Sequence, residues 1–105
     1  MILYHATTRA NLESILAHGL LISHADAQAR LKAVWLHTAS KSIWAILHTQ
    51  TRHRAPLEEV VVITVLIPRA WRRRFKTGLW WTPMDIPPDR LGRIIPGIAY
   101  AESAT

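Results

Sequence analysis

Two short stretches set a histidine behind an apolar run and in front of small polar residues. The first is Leu3-Tyr4-His5-Ala6-Thr7-Thr8, and the second is Val34-Trp35-Leu36-His37-Thr38-Ala39-Ser40. Each reads as a buried strand that ends in a histidine and hands over to a helix start. Such junctions often hold ligands, because free backbone N–H groups and the positive end of the helix dipole gather there. The repeated layout brings two histidines toward one cleft. A third stretch, Thr51-Arg52-His53-Arg54-Ala55-Pro56, is a polar, basic connection. The planar fork of arginine matches phosphate oxygens, so Arg52 and Arg54 are candidate anion ligands. Arg30, ahead of the second strand, is within reach of the same cleft. Trp71-Arg72-Arg73-Arg74-Phe75 sets three cations between two aromatics, a mixture suited to nucleic-acid strands. Arg72, Arg73 and Arg74 are therefore candidate nucleic-acid contacts, held outward by Trp71 and Phe75. His18, His24, His48 and His53 have no comparable setting and read as surface or partial-core residues.

Composition narrows the classes. A chain of 105 residues, half of them hydrophobic, is one domain (residues 1–105) with a real core. It has no cysteine, so disulfide and thiol chemistry are excluded, and its six histidines show no metal-ligand spacing. No metal site is expected. No charged leader precedes a long apolar run, and no run approaches the length of a membrane span. The expected home is the cytoplasm, with no membrane partner. Thirteen Lys and Arg against seven Asp and Glu leave a formal charge of +6, which points to a polyanionic partner.

The elements that must position these residues follow from periodicity. Leu12, Ile15 and Leu16 recur at i, i+3, i+4, one face of a helix. Thr7 or Thr8 caps its start and Gly19 stops it. Leu20 to Ile22 reads as a short extended run, and His24 to Lys32 as a short helix or ordered loop. After Ser40, a good N-cap, Ile43, Trp44 and Leu47 are expected to form the buried face of the next helix, with Ile46 at its edge. Glu58 to Ile67 is the clearest strand, apolar on both faces and hence central. Ala70 to Lys76 is expected as one or two helical turns or a loop, and Asp89 to Ile94 as one turn of helix. Trp80 and Trp81 read as core, and Ile98 to Tyr100 as the last strand. The order points to an α+β domain rather than a parallel βαβ array.

Three motifs together resemble the ADP-ribosyltransferase superfamily, closest to the NAD-binding lobe of the tRNA 2′-phosphotransferase family. L-Y-H-A-T at 3 to 7 with N-L-E-S-I-L-A-H-G-L at 11 to 20 resembles the family's strand with histidine-glycine-threonine and its following helix. R-H-R-A-P at 52 to 56 precedes the strand V-V-V-I-T-V, as an arginine precedes a similar strand in the family. G-L-W-W-T-P-M-D-I-P-P-D-R-L at 78 to 91 is similar to a glycine-valine-tryptophan-leucine-threonine followed by a proline pair. The chain departs from the pattern in three ways. Ala6 replaces the usual glycine. The family's winged-helix RNA-binding lobe has no counterpart in these residues. No glutamate lies between Glu59 and Glu102 to match the late-strand glutamate of most ADP-ribosyltransferases, and Asp85 is the carboxylate nearest that place.

The resemblance implies two small, mainly antiparallel sheets around a cleft with short flanking helices, and NAD as co-substrate. His5, Ala6 and Thr7 would bind NAD, with His5 on a ribose diol, and Trp81 would stack on a ring. Arg52, Arg54 and His37 would serve the transfer. The reaction would move an ADP-ribosyl group to a phosphate or other group on nucleic acid, as a 2′-phosphotransferase does, and release nicotinamide. A phosphate dianion is already a nucleophile near neutral pH, so the missing glutamate is chemically tolerable there. The alternative is a catalytically inert module of the same fold that binds RNA or a protein through its basic face.

Overall fold

The computed structural model describes residues 1–24 and 33–104. Arg30 and the expected element over 24–32 lie outside the described residues, apart from His24, which ends a short 3-10 turn at Ile22–His24. In order, β1 is Leu3–Thr8, α1 Arg9–His18, β2 Val34–His37, α2 Ser42–His53 and β3 Val60–Val65. They are followed by β4 Arg73–Lys76, β5 Leu79–Thr82, β6 Leu91–Pro96 and α3 Gly97–Ala104. Among the described residues the strands form one six-stranded antiparallel sheet in the order β4-β5-β2-β1-β3-β6. The chain is thus an α+β domain. The two sheets expected from sequence are joined into one, because β1 and β2 meet at the pair Tyr4–His37.

Strand alternation sorts the core onto two faces. Leu3, Val34, Leu36 and Val65 point to one face, where Ile15 of α1 packs on them. Val60 and Val62 point to the other, against Ile46 of α2 and Tyr100 of α3. β3 is covered on both sides, and Val60, Val61, Val62 and Ile63 are fully buried. The apolar run read as a central strand is one, although it is bounded at Val60 and Val65.

Several expectations change. β1 does not end at His5. It continues to Thr8, because every residue from Leu3 to Thr8 has a partner on β3. Thr8 does stand at the α1 N-cap, without a side-chain cap bond. Gly19 ends α1 at φ 84°, and its N–H bonds the Ile15 carbonyl. A Cβ there would strike the carbonyl oxygen of Ile86, the oxygen that accepts from Leu20 N–H. α2 begins at Ser42, after a turn at Ala39–Lys41, rather than directly at a Ser40 cap.

The buried face of α2 is also reversed. Ser42, Ala45, Ile46 and Thr49 are buried, while Ile43, Trp44 and Leu47 are exposed. Small residues let the helix lie close to the sheet, and the large apolar ones are turned away. Residues 70–76 form no helix: a 3-10 turn at Arg69–Trp71 leads into β4, an edge strand paired with β5. The last strand is Leu91–Pro96, placed where a helical turn was expected. Ile98 to Tyr100 belong to α3.

Candidate functional site

β1 pairs with β3 along its whole length, but with β2 only at Tyr4–His37. Past that pair, the space between β1 and β2 is a groove. His5, Ala6 and Thr7 line it from one strand, and Val34 and Trp35 from the other. His5 bridges it. Its Nδ1–H donates to the Trp35 carbonyl at 2.9 Å. Because a carbonyl can only accept, Nδ1 must carry the proton, and Nε2 keeps its lone pair in the neutral ring. Burial pushes the His5 pKa down, more than the Trp35 bond raises it. The charges of Arg52 and His53 push it down further. His5 is therefore a neutral hydrogen-bonding group at pH 7 rather than an acid.

The groove opens into two chambers, one on each side of the sheet, each of about 410 Å³. They share His5, Ala6, Trp35, Arg52 and His53. The chamber on the α1 side is the more polar of the two. Thr7, Asn11 and Ser14 line it beside Ile15 and residues 19–21, and Asn11 Nδ2 donates to Thr7 Oγ1 at 3.4 Å. The chamber on the α2 side is aromatic. Trp44, His48 and Arg52 line it from one stripe of α2, at i, i+4 and i+8. Trp44 and His48 stack at 5.0 Å with 9° between their planes. On the opposite wall Phe75 meets Trp35 edge-on at 5.2 Å. The register shifts between Arg74 and Lys76. That extra residue lets Phe75 and Lys76 both line this chamber instead of alternating.

No protein-family model matches this sequence, and no curated protein matches it.

The other candidates fall into two groups. His37 lines the α2-side chamber together with His5 and Arg52. It is 4% exposed, stacked on Tyr4 at 5.9 Å and edge-on to Tyr100 at 6.1 Å. Its Nε2 is buried without a hydrogen-bond partner. Burial, and then the charge of His5, pushes its pKa down to about 4. Arg54 lies outside both chambers, in a left-handed conformation that closes α2. Trp81 is half-buried opposite Trp35 on β5 and also lies outside them.

Of the arginine run, Arg72 sits over the Trp80 ring at 5.7 Å. Arg73 donates to the Ala70 and Arg72 carbonyls at 2.6 and 3.1 Å. Arg74 donates to Thr77 Oγ1 at 3.2 Å. Asp85 accepts the Ile22 N–H at 2.8 Å, a structural role away from the groove. Among the described residues no carboxylate lines either chamber, and no cluster of three metal-binding side chains occurs.

Sequence reasoning missed Asn11, Trp44, His48, Phe75 and Lys76. The i+4 spacing of Trp44 and His48 is legible, but an apolar Trp44 at helical spacing reads as core. Arg52 reads as part of a polar connection, whereas α2 runs on to His53 and carries it on the same stripe.

Proposed function

We propose that the groove binds NAD and that the chain is an NAD-dependent transferase of ADP-ribosyltransferase-like fold, related in kind to the RNA 2′-phosphotransferases. The observation that carries the reading is His5. Its Nδ1 is tied to Trp35, so a fixed, neutral imidazole offers Nε2 to a ligand where the two chambers join. That suits a ribose hydroxyl, which can donate to it. The residues present fit the dinucleotide. The α1-side chamber, of about 410 Å³, is of the size that holds a small-molecule ligand. The hydroxyl and amide wall of the α1 side fits ribose, and Arg52 stands at the junction, where its fork fits pyrophosphate.

When bound, NAD would supply an ADP-ribosyl group: its C–N bond to the cationic nicotinamide ring breaks, the bonding pair leaves with the now neutral nicotinamide, and a bond to the acceptor oxygen forms. The chain's own part is to position and to balance charge. Neither neutral histidine is set up to donate a proton at pH 7. A phosphate acceptor needs no base, which agrees with the lining. The inert-module reading remains the rival.

The test is to incubate the protein with NAD, with and without an RNA bearing a 2′-phosphate, and to quantify released nicotinamide. Calorimetric titration with NAD runs beside it. Binding and RNA-dependent release support transfer. Binding without release supports the inert module. No binding at millimolar NAD removes the dinucleotide from the proposal.

A further inference from the structure

We infer that the aromatic chamber on the α2 side is the acceptor half of the groove, and that it takes an unpaired base of a single-stranded nucleic acid. This rests on the transferase reading for the word acceptor. The groove's chemistry stands by itself.

The two walls of this chamber carry flat rings. Trp44, stacked on His48, faces it from α2, and Phe75, braced against Trp35, faces it from β4 and β2. Trp44 is 47% exposed and Phe75 59% exposed, so their apolar faces are open to solvent. Open rings on two facing walls can stack on a flat ligand between them. Bases stack on such rings whatever their identity. A duplex hides its base faces, so the strand must be single. The volume, about 410 Å³, is of the size that takes a small organic ligand such as a base with its sugar.

Charge selects the same occupant. Arg52 and Lys76 line the chamber, and among the described residues no Asp or Glu does. Lys76 Nζ lies over the Phe75 ring at 5.9 Å, which places a cation beside the stacking face, as a phosphate next to a stacked base requires. The register pairs Arg73 with Trp81 and Trp81 with Trp35, so Arg73 belongs to this face as well. A neutral or basic peptide would account for the apolar rings but not for the one-sided charge.

The division between the chambers follows. The hydroxyls and amides beside α1 suit the sugars and pyrophosphate of a dinucleotide, and the rings beside α2 suit a base. His5 and Arg52 stand where the two would meet.

The experiment uses short oligouridylate and oligothymidylate, an abasic oligomer of the same sugar-phosphate length, and a duplex. Binding of each is followed by fluorescence anisotropy, with NAD titrated separately and together. Trp44→Ala and Phe75→Ala should each weaken oligonucleotide binding by about 5- to 100-fold, as loss of one stacked base predicts. Trp44→Phe should restore most of it, and NAD affinity should be unchanged in all three. The abasic oligomer and the duplex should bind no better than the alanine variants. An oligodeoxyuridylate beside the uridylate and thymidylate separates the 2′-hydroxyl from the 5-methyl group and so tells RNA from DNA.

Equal binding of the abasic oligomer, or unchanged affinity in both alanine variants, overturns the inference. So does displacement of the oligonucleotide by NAD, because the aromatic wall would then belong to the dinucleotide. Oligonucleotide binding without any NAD binding overturns the transferase reading and leaves the base site standing.

Discussion

His5 and His37 differ in what they touch, and this gives them different tests. His5 is bonded through Nδ1 and lines both chambers. Its replacement by alanine should weaken NAD binding by up to about tenfold, the worth of one net hydrogen bond, read by calorimetry. An unchanged affinity would mean that the imidazole only braces β2. His37 is a buried neutral group whose folded pKa, about 4, lies below the ordinary 6.5. Between those values the unfolded chain binds the proton and the folded one does not. Stability is therefore full above pH 6.5 and is lost as pH falls toward 4, by about 3 kcal/mol for this group alone. The groups facing His37 are Tyr4, Tyr100 and His5. His5, also depressed, adds to the slope with the same sign. His37→Phe should flatten the acid limb of Tm against pH. It should cost little at neutral pH, because it also removes the orphaned Nε2. A limb as steep as the wild type's would place the acid sensitivity elsewhere. At the other end, burial pushes the Tyr100 pKa up to about 12, so stability should decline again as pH rises past 10.

At the scale of elements, α2 holds the clearest contrast between pattern and packing. The apolar residues Ile43, Trp44 and Leu47 share a helical face, and that regularity makes them read as core. The structure buries Ala45, Ile46 and Thr49 instead. Ile46→Ala should cost about 2–5 kcal/mol, whereas Leu47→Ala should stay within about 0.5 kcal/mol, both by chemical denaturation. The reverse order would put the sequence-predicted face back against the sheet. Gly19 makes a second test. Its φ of 84° and the nearby Ile86 carbonyl exclude a side chain. Gly19→Ala should cost about 1–3 kcal/mol and disturb the Gly19–Leu21 wall of the α1-side chamber. Its role as a helix stop was legible, because glycine has few other reasons to follow a helical pattern. The strand character of 73–76 was not. Trp71 and Phe75 lie four apart, so they mimic a helix stripe. In fact Trp71 packs from a 3-10 turn and Phe75 from a bulged edge strand.

Across the whole molecule, the excess of positive charge is sorted by the sheet. Arg73 pairs in register with Trp81 and Arg74 with Trp80, so the two arginines stand on opposite faces. A strand lying along the α2 side reaches Arg73 and misses Arg74. Arg73→Ala should therefore lower the salt slope of single-strand binding by about 0.7, the value of one phosphate contact, and Arg74→Ala should leave it alone. Equal slopes for both variants would mean that the run only adds to the general +6 charge. Among the described residues no helix is long and apolar enough to cross a membrane.

What the sequence by itself determined is local or compositional: the excess of base, the lack of cysteine, the helix after β1 and its stop at Gly19. The doubly apolar β3 and the pairing of each histidine with a strand belong to the same class. These follow from residue type and short spacing, which carry backbone preference and hydrophobic period. Tertiary structure alone decided that β1 and β2 share one ladder pair and then part, and that His5 bonds the Trp35 carbonyl thirty residues away. It also decided that α2 turns Trp44 toward the groove rather than the core. Each of these depends on which strand neighbours which and on how closely a helix of small residues can approach the sheet. Those are properties of contacts between distant segments, and no window of adjacent residues contains them.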